Sequence, residues 1–282
     1  MIEKDIEVLV TTMDLDCPEE LIRRMNIRSD FLVGNQTTRD NLEKCVVDGN
    51  TGYIYSRNER GVGKNRNTIL SNASAKFCVF ADDDMVFKDN YVEIILDTFG
   101  KYPEADVIVF NLSTYDDIAA YDGERRNKKA VKVNYLNYMN YGAARLVFRR
   151  KVVSYSGILF NLNFGGGTPH QCGEDTLFIK DCLQAGLKIF AVPESIAYLT
   201  HDRESTWFEG YNKKYFFDKG VFLATNSPKL SYFIGLLLVL KHNEYYSVDM
   251  SFREVFSEIK QGIEYIKETL YENRNDEKKN KY

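Results

Sequence analysis

The sequence predicts an α/β fold: a mainly parallel sheet with helices on both faces, followed by a C-terminal helical extension. Three observations carry this. Short apolar runs alternate with helical patterns from Ile6 to Leu112. One of those runs, Phe77-Cys78-Val79-Phe80-Ala81, ends in three aspartates, Asp82-Asp83-Asp84. From about Ser227 the chain changes to long helical patterns and a polar tail. The domain reading is therefore 1–226 for the α/β domain and 227–282 for the extension.

Each element has a local reason. Ile6–Thr12 is apolar and rich in β-branched residues, a first strand. Cys17-Pro18-Glu19-Glu20 opens a helix, with proline and acids in its first turn. Phe31-Leu32-Val33 is a strand ending at Gly34-Asn35-Gln36, and Tyr53-Ile54-Tyr55 is another. Glu59–Asn67 is a Gly-rich loop leading into a helix through about Ala75, and Lys76–Ala81 is the strand that delivers the aspartates. In Asn90–Phe99, Val92, Ile95, Leu96 and Phe99 share a helical face that Gly100 stops. Asp106–Leu112, Lys128–Val133 and Arg145–Arg150 read as strands. Phe164–Thr168 is a Gly-rich loop, placed to order over a bound ligand. Gly173-Glu174-Asp175 opens a helix through Ala185, and Leu187–Val192 is a strand ending at Pro193. Leu230–Leu240 and Phe252–Tyr271 are helices.

Composition narrows the partners. A net charge of −4 argues against a nucleic-acid binder, which carries a strongly basic face. The five cysteines form no CxxC pair, so neither a disulfide framework nor a zinc site is expected, and a reducing cytosol suits them. The N-terminus lacks signal-peptide character. The run from Leu230 to Leu240 is too short to span a bilayer. It reads either as a buried helix or as a contact with a membrane surface.

Four constellations can carry chemistry. Adjacent aspartates repel and need a counter-charge. In an extended chain Asp82 and Asp84 point to the same side. Such a pair suits Mg²⁺ or Mn²⁺, and that ion can hold a diphosphate. Arg60, Lys64 and Arg66, beside Gly61 and Gly63, suit a phosphate at a helix start, although the spacing is not that of a Walker A loop. Glu174 and Asp175 are either dipole partners of their helix or a general base for an attacking hydroxyl. His201 can complete a Mn²⁺ shell. Trp207, within Ser205-Thr206-Trp207-Phe208, suits a sugar face or a core anchor. In open parallel sheets ligands bind beyond the carboxyl ends of strands, where Asn35-Gln36 and the aspartates lie.

In this order, the Ile6–Thr12 strand, Arg60-Gly61 with Asn65-Arg66-Asn67, Phe80-Ala81-Asp82-Asp83-Asp84, Gly173-Glu174-Asp175 and His201 resemble glycosyltransferase family 2, the inverting nucleotide-sugar transferases of the GT-A fold with its Rossmann-like sheet. The resemblance covers roughly residues 5–220. It implies that Thr11, Thr12, Asn35 and Gln36 border the nucleotide base, although the family's usual acidic residue after the second strand is missing. It implies that Arg60 and Arg66, with Lys64 and Asp83 nearby, line the nucleotide-sugar side. Asp82 faces ribose or metal, Asp84 binds Mn²⁺ or Mg²⁺, and His201 joins as metal or diphosphate ligand. Asp175 is the catalytic base, and Glu174 supports it or touches the acceptor, which Trp207, read from its aromatic face alone, would also touch. The QxxRW motif of processive members is absent, which favours transfer of one sugar at a time.

The resemblance implies a UDP-sugar donor and a glycan or lipid-linked oligosaccharide acceptor of a surface polysaccharide. It implies a cytoplasmic enzyme, peripheral at the inner membrane face if the C-terminal helices reach it, with the oligomeric state open. Two other classes stand beside it. A sugar-phosphate nucleotidyltransferase would want a Gly-rich signature directly after strand one, where Thr11-Thr12-Met13-Asp14 has no glycine. A non-catalytic nucleotide-sugar or glycan-binding module would not need the paired Glu174-Asp175.

Overall fold

The structure is a computed structural model, and it describes residues 5–114, 127–200, 210–241, 243–246 and 249–279. The elements, in order, are β1 (Ile6–Met13), α1 (Pro18–Arg24), β2 (Asp30–Gln36), β3 (Asn41–Val47), β4 (Asn50–Arg57), α2 (Val62–Asn72), β5 (Phe77–Asp82), β6 (Met85–Phe87), α3 (Tyr91–Lys101) and β7 (Val107–Thr114). There follow β8 (Val131–Lys132), a single 3₁₀ turn (Tyr138–Asn140), β9 (Leu146–Arg149), α4 (Arg150–Tyr155), α5 (Glu174–Gln184) and β10 (Ile189–Leu199). Last come α6 (Lys213–Asn226), α7 (Ser231–Lys241), α8 (Asn243–Tyr246) and α9 (Phe252–Lys279).

The chain divides into two compact units. One holds residues 1–162 and 174–204, the other 163–173 and 205–282. The change of composition near Ser227 falls inside the second unit, between α6 and α7.

The first unit is built on one sheet, in the order β3-β4-β2-β1-β5-β9-β7-β10-β6, with β8 beside β10. The β4-β2-β1-β5 half is parallel, as expected. Antiparallel strands flank it: β3 against β4, and β9 between β5 and β7. Alternation along the strands makes two cores. Val8, Val10, Val79 and Ala81 face α1 and α3, meeting Leu21, Ile22, Tyr91 and Ile95. Leu9, Cys78 and Phe80 face the other way, meeting Ile69 of α2, Val153 of α4 and Phe178 and Ile179 of α5. Phe80 packs edge-on against Phe160 and Phe178, which stack on each other at 4.2 Å.

Some expected boundaries move. β3 was not foreseen. It joins β4 through Asp48-Gly49, both at positive φ, the conformation a two-residue hairpin turn demands. Gly100 does not stop α3, which runs to Lys101. β10 does not end at Pro193. Proline has no N–H for the ladder, so the register against β7 shifts between Ala191 and Ala197, and the Asn111 side-chain amide donates to the Pro193 carbonyl at 3.0 Å. α4, α6 and the short β6 were also unforeseen.

In the second unit α6 and α9 cross closely enough that side chains at the crossing would collide with backbone. A Cβ on Gly220 would lie 2.0 Å from the Ile259 carbonyl oxygen, and one on Gly262 2.1 Å from that of Phe217. The run read as either buried or membrane-facing has one buried side and one exposed side. Ser231, Gly235 and Val239 of α7 are buried, while Phe233, Leu237 and Leu240 are exposed, with Leu230 just ahead of the helix. Among the described residues no helix is long and apolar enough to cross a membrane.

The segment 163–173 belongs to this unit through Asp218 of α6. That buried carboxylate accepts from Lys214 Nζ at 2.6 Å and from the Gln171 N–H at 3.2 Å, and lies 2.9 Å from His170 Nδ1. These contacts hold the Asp218 carboxyl below the usual aspartate range against the opposing effect of burial.

The crossing predicts opposite signs for two glycine-to-alanine changes. Gly220→Ala is expected to destabilise by on the order of 1–3 kcal/mol through overpacking. Gly100→Ala, with open space around its Cβ, is expected to stabilise α3 by up to about 1 kcal/mol. Urea denaturation reads both, and a neutral Gly220→Ala would mean the helices do not approach this closely.

Candidate active site

Strand register collects the site. Thr11 lies level with Gly34 on one side and Asp82 on the other, and Thr12 is level with Asn35. The Thr11 hydroxyl donates to Asp82 Oδ1 at 2.8 Å, and the Thr12 hydroxyl donates to Asp83 Oδ2 at 2.7 Å. Neighbouring strand residues face opposite sides of a sheet. Asp82 thus joins the α2 and α5 face, while Asp83 meets Thr12 on the α1 face, where Arg24 Nη2 donates to the Asp83 carbonyl at 3.1 Å. Alternation stops at Asp82, the last residue of β5. Asp83 and Asp84 form a turn into β6, so the argument that set Asp84 beside Asp82 does not extend to it. The Asp84 carbonyl accepts from both the N–H and the hydroxyl of Thr200, at 2.9 and 3.0 Å.

The Gly-rich segment sets α2 against these strand ends. Gly61 has φ +126°, and its N–H donates to Gln36 Oε1 at 2.6 Å. A side chain on Gly63 would sit 2.7 Å from the Asn161 carbonyl oxygen. Buried Asn65 donates to the Gly34 and Thr12 carbonyls at 2.9 and 3.2 Å, closing the gap between α2 and β1–β2.

Arg66 then reaches the centre. Its side chain is 5% exposed and pairs with Asp82 Oδ1 at 3.0 Å, Glu174 Oε1 at 3.2 Å and Asp175 Oδ1. The guanidinium carbon lies 5.2 Å from the centroid of the Phe160 ring. Asn67 fixes Phe160 through both backbone groups, at 2.7 and 2.9 Å. The other Asp175 oxygen accepts the Ala143 N–H at 2.9 Å, and a Cβ on neighbouring Gly142 would crowd that oxygen at 3.2 Å.

One cation faces three carboxylates here. Burial alone would lower the Arg66 pKa, but the charges of Asp175, Asp82 and Glu174 outweigh it and hold the guanidinium charged. Glu174 goes the other way. Burial first, then the Asp175 charge, pushes it up to about 8 against the lowering pull of Arg66.

The other expected residues are placed as follows. Asn35 and Gln36 are buried, and their amides serve neighbouring loops and strand β4: Asn35 bonds to the Leu15 N–H and the Ser56 hydroxyl, both at 3.1 Å, and Gln36 to Gly61. Arg60 donates to the Gln36 carbonyl at 2.8 Å and pairs with Asp14 at 3.1 Å. Lys64 is exposed on the first turn of α2. His201 and Trp207 lie outside the described residues. The contributions of Ala143, Phe160 and Thr200 were not foreseen, because a backbone N–H, a ring and a lone hydroxyl carry no sequence signature.

Asp82, with its side chain 38% exposed, and Asp84, part-exposed in the turn, offer the hard oxygens that Mg²⁺ and Mn²⁺ prefer. Among the described residues no three His, Cys, Asp or Glu side chains are placed to hold a metal ion together.

The raised Glu174 makes stability pH-dependent with a definite sign. Between its ordinary value of 4.5 and about 8, the folded chain keeps the proton that the unfolded chain has released. Stability therefore falls as pH rises through that window. Glu174→Gln, neutral throughout, is expected to gain melting temperature relative to the native chain between about pH 5 and pH 8. Parallel melting temperatures across that range would show that Glu174 is ionised in the fold.

Comparison with known proteins follows the same line. A sequence model of glycosyl transferase family 2 matches residues 33–160, which include β2, the Arg66 helix and the three aspartates. No curated protein matches. Among solved structures, S. aureus TarS 1-349 in complex with UDP-GlcNAc superposes with TM-score 0.55 at 14% identity, over 86% of this chain and 73% of that one. The same fragment in complex with UDP gives TM-score 0.56 at 15% identity, over 92% and 81%. A longer TarS chain gives 0.53 at 13%, over 86% and 44%. At these identities the likeness shows a shared fold, the GT-A-like arrangement of a mostly parallel sheet with helices. The family match spans the strand ends that build the site, so over residues 33–160 the chain is similar to glycosyl transferase family 2.

Proposed function

We propose that the protein is a metal-dependent, inverting transferase that moves a single sugar from a UDP-sugar to a glycan or lipid-linked acceptor. The observation that carries this is the convergence of the strand-end pair Thr11–Asp82 and the helix-start pair Glu174-Asp175 on one guanidinium. It puts a donor-side carboxylate and a candidate base in one site, beyond the carboxyl ends of parallel strands. The UDP and UDP-GlcNAc complexes of the TarS fragment support the choice of carrier.

In this reading Asp175 accepts the proton of an acceptor hydroxyl. The freed oxygen attacks the anomeric carbon from the face opposite the nucleotide. The bond from that carbon to the diphosphate oxygen breaks, and its electron pair leaves with UDP, so the configuration inverts. Asp84 and Asp82, with His201, would hold Mn²⁺ or Mg²⁺, which when bound would stabilise charge on the departing diphosphate. The Ala143 N–H fixes the Asp175 carboxylate, and Thr11 fixes Asp82.

The acceptor reading has its own support. Leu230, Phe233, Leu237 and Leu240 form an exposed apolar stripe along α7, bracketed by exposed Lys229 and Lys241. An apolar stripe between cations suits an anionic bilayer surface, where a lipid-linked acceptor would lie. All five cysteines are free thiols, which suits a reducing compartment, so we place the enzyme at the inner face of the membrane.

Two measurements test this. Asp175→Asn is expected to lower transfer from UDP-GlcNAc about 10²- to 10⁴-fold while UDP affinity stays within about threefold. Near-normal turnover would remove Asp175 as the base. Phe233→Ser with Leu237→Ser is expected to abolish cosedimentation with anionic vesicles at unchanged melting temperature. Unchanged cosedimentation would remove the membrane assignment.

A further inference from the structure

Arg66 sits in the segment expected to line the nucleotide diphosphate, yet its surroundings are those of an interior residue. Its side chain is 5% exposed, Nη2 serves Asp82, and Nη1 serves both Glu174 and Asp175. The plane of the guanidinium has the Phe160 ring as a neighbour, and Asn67 fastens that ring's backbone from the next position of α2. A cation that binds a diphosphate keeps its donors toward solvent until the ligand arrives. These donors are engaged by carboxylates inside the protein.

We propose that Arg66 is a positioning residue that acts through Asp175, and not a ligand of the diphosphate. The proposal rests on the assignment of Asp175 as the base. The guanidinium fork and the Ala143 N–H take one Asp175 oxygen each, which fixes the rotation of the carboxylate about its own axis. Such fixing matters because small misplacements of a reacting group cost large factors in rate. Arg66 also ties α2, the end of β5 and the start of α5 together with a single group. A lysine at this position would carry the charge without the planar fork, so it cannot reach the three carboxylates in the same directions. When the fork is lost Asp82 keeps the Thr11 hydroxyl and Asp175 keeps the Ala143 N–H on one oxygen only, and because Asp175 is the base, its loosened second oxygen is where the rate is lost.

The test uses the full chain, Mn²⁺, UDP-GlcNAc as donor, and release of UDP as the signal. Arg66→Lys is expected to lower kcat at saturating donor by at least about tenfold, with UDP affinity changed by less than about threefold. In an Asp175→Asn background the same change is expected to cost less than about twofold, because two residues that act as one unit are not additive. Phe160→Leu removes the ring beside the guanidinium and leaves every ion-pairing group in place. It is expected to show the same split between kcat and affinity, and it takes the place of Arg66→Lys if that variant melts far below the native chain. Weakened UDP binding with kcat retained would make Arg66 a diphosphate ligand and overturn the proposal. So would a full, additive loss on top of Asp175→Asn. Normal turnover by Asp175→Asn alone would instead overturn the base assignment, and the positioning role with it.

Discussion

The site depends on one buried guanidinium among three carboxylates. Without Arg66, Asp82, Glu174 and Asp175 would stand close together with no counter-charge, in surroundings where ionised groups are poorly solvated. Removing one partner of such a buried pair costs about 3–5 kcal/mol, because the remaining charge is left uncompensated. The cluster is therefore a structural joint as well as a chemical one. It links α2 and β5, neighbours in the chain, to α5, 108 residues on from Arg66 to Glu174. The counter-charge that the aspartate triple demands comes, for Asp82, from within the protein.

That joint has to be carried to its place by ordinary fold physics. Parallel pairing sets the ends of β1, β2, β4 and β5 side by side. Asn65 then stitches the first turns of α2 to two strand carbonyls, which leaves Arg66 on the neighbouring turn directed at Asp82. The aromatic stack of Phe160 and Phe178 fills the space beneath. Each contact is modest. Together they hold a long side chain in one rotamer, and the desolvation of the site raises Glu174 as a consequence.

Much of this was legible beforehand, for identifiable reasons. Short apolar runs located β1, β2, β4 and β5, because strands covered on both faces read as near-continuous hydrophobic stretches. The aspartates at the end of β5 and the acids at the start of α5 stood out because charge beside an apolar run is locally unusual. β3 was missed although Asp48-Gly49 is a strong turn signal, since its strand is an exposed edge carrying Glu43 and Lys44 among apolar residues. Pro193 misled because its missing N–H was read as an end to β10, where the structure absorbs it as a bulge.

The residue types of the site were therefore determined by the sequence, and their partnerships were not. Arg66, Asp82, Glu174 and Asp175 could each be named from residue type and spacing, and Thr11 from the family resemblance. That Asp82 and Asp83 part to opposite faces needed the point where β5 stops being extended. That Asn35 and Gln36 serve neighbouring loops and strand β4 needed the register that buries them. That Arg66 faces carboxylates inside the protein needed α5 to dock on the same face of the sheet as α2. The physical reason is common to all three: identity and spacing set what a side chain can do, but direction and burial are set by which elements pack against it, and those lie too far along the chain for local pattern to reach.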